Sequence, residues 1–211
     1  TLQQEAWKKF RFPAKFTMKI SQRLYELGFI TYHRTDSLNL SDFTLSAARK
    51  FIIKNYGKEY WVLRKYKAKG RVQEAHEAIR PTSADSNPSS FAKTQARKEK
   101  LNETHFRLYD LIWRRFIACQ MAQAVFDATT VDVLATNYKI QDIKYTFRST
   151  GQILKFDGFL KVYPMKFEET ELPLLKKDEF LKLLKLSSSQ HFTQPPPRYT
   201  EATLIKTLEE N

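Results

Sequence analysis

The sequence predicts an α+β fold: a basic, mainly helical domain, then a small antiparallel β-unit, then the start of a further helical domain. Three observations support this. Apolar residues recur at helical spacing over 1–122. From 123 to 191 the chain is rich in Thr, Val, Ile, Tyr and Phe that alternate with polar residues. In 192–211 a proline run precedes a last helical pattern. We expect these three segments to be parts of a longer multidomain protein.

Start and stop signals define the first helices. The stretch "TMKISQRLYELG" has apolar residues at helical spacing and ends on Gly28, a residue type that favours a left-handed cap. In "LSDFTLSAARKFIIKNYG", Ser41 is a suitable N-cap and Gly57 a suitable stop. Both stretches are therefore predicted to be helices.

Two more helices are predicted before residue 122. The stretch "SSFAKTQARKEK" favours a basic helix or helical linker, and "NETHFRLYDLIWRRFIACQM" is the strongest helical pattern in the chain. The apolar stripe of the second stretch consists of Tyr109, Ile112, Trp113 and Phe116. We predict that this stripe belongs to the core.

The β-unit is predicted from residue 123, with turns at Asn137, Gly151 and Gly158. The stretch "FLKLLKLSSSQHF", residues 180–192, is predicted to add another strand. After the run "QPPPRY", Thr200 is a suitable N-cap for the last helix.

Positive charge is concentrated in the first domain. The chain has 36 Lys and Arg against 23 Asp and Glu, a net charge of +13. Residues 1–122 contain 24 basic and 11 acidic residues, whereas 123–211 contain 12 of each. This asymmetry indicates that the first domain faces a polyanion. The alternative is a generally basic protein whose lysines are simply solvated.

Composition also excludes several classes of protein. No apolar run approaches the roughly 18 to 20 residues that cross a bilayer. The first residues do not resemble a signal peptide, because charges interrupt them. A single cysteine, Cys119, excludes an internal disulfide and a cysteine-based zinc site. We therefore predict a cytoplasmic protein without a membrane partner.

The stretch "GFITYHRTDS", residues 28–37, carries the first group of candidate site residues. A phenol ionises in water only near about pH 10, so a tyrosine needs help to act as a nucleophile. In a strand, Tyr32, Arg34 and Asp36 would share one face, where the arginine could hold a phosphate for the phenol to attack. The alternative is packing by the tyrosine and a solvated charge.

The stretch "QEAHEAIRP" carries the second group. His76 and Arg80 are four residues apart, which places them on one face if the stretch is helical. Pro81 disfavours helix at Arg80 itself. Together the two side chains could donate hydrogen bonds to phosphate oxygens. The alternative is a capped helix end with a surface ion pair.

The order of the motifs resembles that of bacterial type IA DNA topoisomerase I over nearly the whole chain. The matching stretches are "LYELGFITYHRTDS", "QEAHEAIRP", "LIWRRFIACQM" and "HFTQPPPRYTEATLIKTLEE". This resemblance implies that Tyr32 forms a 5′-phosphotyrosine bond with DNA, that Arg34 contacts the scissile phosphate and that His76 positions the backbone. It also implies that 123–191 belongs to an arch that opens and that 192–211 begins the single-strand-binding domain.

Five further residues are predicted to contact DNA in the same framework: Thr35, Asp36, Ser37, Arg80 and Arg198. For Arg198, a surface arginine at a proline turn is an equally good interpretation. The resemblance implies a Mg²⁺ ion bound by an acidic cluster in an N-terminal domain. No Asp-x-Asp-x-Asp stretch or similar cluster occurs in this chain. No ATP-binding loop of the Gly-x-x-x-x-Gly-Lys type occurs either.

The predicted function is therefore relaxation of negatively supercoiled DNA by a monomeric, nucleoid-associated enzyme that acts on single-stranded segments. One alternative is a non-catalytic module in which Tyr32 stacks on a base of single-stranded nucleic acid. A second is a topoisomerase III or reverse gyrase relative. A tyrosine recombinase is disfavoured, because its tyrosine follows the arginines and histidine, whereas Tyr32 precedes His76.

Overall fold

The computed structural model describes residues 1–66, 76–91, 101–136 and 144–210. Within these ranges it contains six α-helices and one two-stranded antiparallel sheet, which confirms the predicted α+β class. The helices are α1 (Leu2–Phe10), α2 (Ala14–Glu26), α3 (Asp42–Tyr56), α4 (Pro88–Ser90), α5 (Glu103–Ala118) and α6 (Glu201–Glu210). The strands are β1 (Val125–Thr136) and β2 (Lys144–Phe156).

Local signals end and begin the helices where the sequence predicts. After α2, Gly28 has a φ of 74°, which is the left-handed conformation that glycine adopts without strain. Ser41 caps α3, because its hydroxyl accepts a hydrogen bond from the Thr44 amide at 3.3 Å. Thr200 caps α6 in the same way, accepting from the Thr203 amide at 3.3 Å. The helix predicted over 89–100 lies mostly outside the described residues.

Helix α5 forms the centre of the helical core, as its apolar stripe predicts. The ring of Tyr109 stacks on that of Phe91 with the centroids 3.9 Å apart, and its hydroxyl donates to the Ser86 carbonyl at 2.6 Å. Trp113 Nε1 donates to the Ala84 carbonyl at 2.9 Å. The polar atoms of these buried aromatic residues are thus satisfied by the backbone of 84–86, which anchors that segment on α5.

The β-unit differs from its prediction in two places. Gly151 is not a turn residue, because it lies inside β2 and pairs with Thr129. A Cβ there would collide with the carbonyl oxygen of Thr170, so the glycine permits a close crossing of two backbones. The strand predicted over 180–192 is wrong, since that segment forms no regular backbone pairing with the described residues. The predicted turn at Asn137 lies outside the described residues.

The chain divides into two compact units. The helical unit comprises 1–123, 157–165 and 199–211, and the β-unit comprises 124–156 and 166–198. This division differs from the predicted boundaries because two later segments return to the helical unit. The segment 157–165 is bound there by hydrogen bonds from Phe159 N to Ala122 O and from Arg114 to Val162 O.

The last helix returns to the helical unit as well. The Ala14 amide, at the start of α2, donates to the Glu201 carboxylate at 2.8 Å. Gln4 of α1 donates to Glu209 of α6 at 2.8 Å. Among the described helices, none combines the length and the apolarity that crossing a bilayer requires.

Candidate active site

A short backbone ladder joins the two candidate stretches. Ile30 and Pro81 form an antiparallel bridge. On its two sides the Thr31 amide donates to the Arg80 carbonyl at 2.9 Å, and the Thr82 amide donates to the Phe29 carbonyl at 3.0 Å. The ladder therefore brings the segment around His76 beside the segment that carries the tyrosine.

The side chain of Thr31 strengthens this junction. Its hydroxyl donates to the Ala78 carbonyl at 2.8 Å and accepts from the Arg80 amide at 2.9 Å. Ala78 in turn donates its amide to the Asn39 carbonyl at 2.8 Å. Segments on both sides of Tyr32, at Thr31 and at Asn39, are thus hydrogen-bonded to the segment 78–80 that follows His76.

Tyr32 lies at the surface between two aromatic rings. Its side chain is 40% exposed, and its ring centroid is 5.7 Å from that of His76 and 5.4 Å from that of Tyr25 in α2. No group of the described residues forms a hydrogen bond with its hydroxyl. The phenol oxygen is consequently free to approach an external electrophile while its ring is held.

Arg34 is exposed and forms no hydrogen bond or ion pair within the described chain. Tyr32, Arg34 and Asp36 do not lie on a strand, because regular pairing stops at Ile30, so the shared face that a strand would give them is not formed. Tight polar turns replace it. The Ser37 amide donates to the Thr35 hydroxyl at 3.0 Å, and the Asn39 amide donates to the Ser37 hydroxyl at 3.1 Å. Asp36 is exposed between them.

Arg80 is held by protein groups. Its guanidinium donates to Glu77 at 2.6 Å and to the Pro81 carbonyl at 2.9 Å, and its side chain is only 14% exposed. Burial raises the pKa of Glu77, but the Arg80 hydrogen bond and that of the Ser41 amide outweigh this, so the pKa lies below its ordinary value. The ion pair weighed as the alternative for this stretch is therefore present. A DNA contact by Arg80 stays a prediction.

The remaining predicted residues lie elsewhere or lack a partner. Arg198 is exposed and belongs to the β-unit. In the described part of the chain, no group of three or more His, Cys, Asp or Glu side chains is arranged to hold a metal ion. The described residues therefore do not fit a Mg²⁺ site.

Two contributors at the site were not predicted from the sequence. Tyr25 lies on the exposed side of an amphipathic helix, where a tyrosine carries no obvious signal. His33 is 2% exposed, and neither of its ring nitrogens has a hydrogen-bond partner. A histidine beside a candidate nucleophile was visible in the sequence, but only the fold shows that it is buried.

Comparisons with known proteins find relatives that match nearly the whole chain. A family model described as DNA topoisomerase matches residues 1–211. "DNA topoisomerase 1" of Pseudomonas aeruginosa is 45% identical over 99% of this chain and 23% of its own length. "DNA topoisomerase 1" of Rickettsia prowazekii is 42% identical over the whole chain and 28% of its own length.

A solved structure extends the similarity to the fold. Full-length topoisomerase I from Thermotoga maritima superimposes with a TM-score of 0.74 at 32% identity. The match covers 99% of this chain and 33% of the Thermotoga chain. This chain thus spans about a quarter of the length of the curated relatives that it matches. On the family model, the curated relatives and the solved structure together, the chain belongs to the bacterial type IA DNA topoisomerase I family.

Proposed function

We propose that this chain supplies the strand-cleaving tyrosine of a DNA topoisomerase. The Tyr32 oxygen attacks a backbone phosphorus, and a new O–P bond forms as the bond from phosphorus to the 3′ oxygen breaks. The phenol loses its proton, and the departing 3′ oxygen gains one. The 5′ end of the break stays on Tyr32 as a phosphotyrosine, and the reverse reaction reseals the strand.

The observation that carries this proposal is the setting of Tyr32. Its hydroxyl has no protein partner among the described residues, while its ring is packed by Tyr25 and His76. A tyrosine that only filled a core would have its ring buried and its hydroxyl satisfied, as Tyr109 does. An exposed oxygen on a restrained ring suits in-line attack on a phosphate.

Arg34 and His76 are the residues best suited to hold that phosphate. Arg34 has an exposed guanidinium without a protein partner in the described chain, so a bidentate contact to phosphate displaces nothing. His76 lies against the Tyr32 ring and can donate to a second oxygen. Arg80, which is held by Glu77, is better suited to fixing the His76 segment than to binding DNA.

The substrate follows from charge and from the kind of bond exchanged. All excess positive charge lies in 1–122, which favours a nucleic-acid phosphate backbone. Because one phosphodiester bond is exchanged for another, the bond energy is retained and no nucleotide hydrolysis is required. We infer that the whole protein relaxes negatively supercoiled DNA at single-stranded segments. We expect it to act as a monomer on nucleoid DNA in the bacterial cytoplasm.

The metal implied by the family would be bound by parts of the protein outside this chain. The described residues offer no cluster that fits Mg²⁺. Its contribution there would be to neutralise phosphate charge. The isolated chain is accordingly expected to bind DNA without relaxing it.

The competing interpretation is a binding module in which Tyr32 stacks on a base. This interpretation explains the exposed ring of Tyr32. It does not explain why that ring packs against His76 beside an Arg34 guanidinium that has no partner among the described residues. The names of the relatives, "DNA topoisomerase 1", favour topoisomerase I over topoisomerase III or reverse gyrase.

Covalent capture tests the proposal. Full-length protein is incubated with labelled single-stranded DNA and quenched with denaturant, and the DNA-bearing peptide is identified by mass spectrometry. We expect the peptide that contains Tyr32.

The substitution Arg34→Lys keeps the charge but loses the planar fork of the guanidinium. If the lost contact is worth about 3 to 4 kcal/mol, cleavage slows by roughly a hundredfold or more. DNA bound only without a covalent bond supports the stacking module instead.

A further inference from the structure

We propose that His33 is a positioning residue for the nucleophile: its buried ring packs against the Tyr32 ring and fixes the direction of the phenol oxygen. This inference rests on the proposed function of Tyr32. It concerns a side chain to which neither the sequence motifs nor the proposed chemistry assigns a role.

The geometry is that of a three-ring support. The His33 centroid lies 5.6 Å from that of Tyr32 at an interplanar angle of 63°, and 5.9 Å from that of Tyr25. Tyr25 and Tyr32 meet edge to face at 5.4 Å, so each of the three rings contacts the other two. His33 is the only buried member, being 2% exposed against 40% for each tyrosine. The two exposed tyrosine rings therefore both pack against the buried ring of His33.

The ring nitrogens of His33 indicate that the ring acts through packing and not through hydrogen bonds. Buried polar groups are nearly always hydrogen-bonded, yet neither ring nitrogen of His33 has a partner in the described structure. Burial and the adjacent Arg34 cation both lower its pKa, and the carboxylate of Glu26 only partly opposes them. The pKa of His33 therefore lies below the ordinary histidine value, and its ring nitrogens form no hydrogen bond with the described residues.

The contact with His33 matters because few other contacts of the described residues restrain the Tyr32 side chain. Its hydroxyl is unpartnered in the described chain, and regular backbone pairing ends at Ile30. Ring contacts with Tyr25, His33 and His76 are what restrain its side-chain torsions. Removing the buried contact should leave the tyrosine reactive but poorly directed, so the rate of cleavage should fall while affinity for DNA is unchanged.

Three substitutions in the full-length protein test this. His33→Phe keeps a flat ring without nitrogens, His33→Ala removes the ring, and His33→Gln keeps a polar group without a ring. His191→Phe, on an exposed histidine of the β-unit, is the matched control. Single-turnover formation of the covalent complex is measured at saturating single-stranded DNA, and the Kd for the same DNA is measured separately.

We expect His33→Phe and His191→Phe to cleave at the wild-type rate. His33→Ala and His33→Gln should be slower by about two- to tenfold, the range that corresponds to one aromatic contact, with unchanged Kd. If the His33→Ala protein does not fold, the cleavage rates of His33→Phe and His33→Gln are compared instead. Equal rates for Phe, Ala and Gln, or a Phe variant as slow as Ala, would overturn the role of His33. Absence of any covalent complex from the wild-type protein would instead overturn the proposed function.

Discussion

The substitution Thr31→Val should detach the His76 segment from the tyrosine without altering either residue. Valine has nearly the shape of threonine, but it can neither donate to the Ala78 carbonyl nor accept from the Arg80 amide. The backbone bond from the Thr31 amide to the Arg80 carbonyl survives. The ladder should therefore stay paired at Pro81 and fray toward His76.

The expected magnitude follows from the two short hydrogen bonds of the Thr31 hydroxyl that are lost. Each contributes roughly 0.5 to 1.5 kcal/mol net, so the pair is worth about 1 to 3 kcal/mol in this half-buried setting. A free-energy change of that size raises the population of the opened segment by roughly 5- to 150-fold. Because the opened segment carries His76 away from Tyr32, cleavage should fall while the tyrosine remains intact.

Hydrogen exchange followed by mass spectrometry on peptides that cover 76–82 measures the opening directly. The matched control is Thr82→Val, which removes hydrogen bonds to the exposed Gly28 turn at the other end of the ladder and should change exchange much less. Unchanged exchange in Thr31→Val, or changes of equal size in both variants, would refute this account of how the site is assembled.

Three further outcomes are expected. Reversing three exposed cations within 1–122 should weaken single-stranded DNA binding and flatten its salt dependence, whereas three reversals within 123–211 should not, as filter binding at several salt concentrations will show. Gly151→Ala should destabilise the β-unit by about 1 to 3 kcal/mol, because the added methyl meets the carbonyl of Thr170, and limited proteolysis will report it. The lowered pKa of Glu77 means that its contribution to stability is present above its unfolded pKa and lost as pH falls through the lower, folded value. Protection of 76–82, taken relative to the intrinsic amide exchange rate at each pH, should therefore fall on acidification in the wild-type protein, while Glu77→Gln should show low protection at neutral pH and less dependence on pH.

The helices were predictable because their signals are local. Gly28, Ser41 and Thr200 act on backbone groups within a few residues, so their residue types alone define helix ends. The apolar stripe of α5 is equally local, since its spacing defines a face whatever packs against it. The predicted candidate residues followed from motifs that lie within ten residues of sequence.

The failures all involve partners distant in sequence. Alternation in 180–192 shows which side chains share a face, but it does not show whether another strand supplies hydrogen bonds. None of the described strands does. Gly151 resembles a turn residue, yet a glycine is needed there because the backbone of Thr170 passes too close for a Cβ atom. Thr31 meets Ala78 at a separation of 47 residues, so the junction that assembles the site has no local signal. The same holds for His33, whose ring packs near that of Tyr25 in α2.

The central claim is that the Tyr32 oxygen becomes bonded to DNA, and one measurement tests it most directly. Tyr32→Phe in the full-length protein removes that oxygen and keeps the ring contacts with Tyr25 and His76. Tyr25→Phe is the control, because it removes the neighbouring phenol oxygen instead. DNA carrying a label downstream of the break is incubated with each variant, quenched with denaturant and assayed for label on the protein. We expect label on the wild-type and Tyr25→Phe proteins and none on Tyr32→Phe, with single-stranded DNA binding retained by all three. Undiminished covalent label on Tyr32→Phe would contradict the account outright.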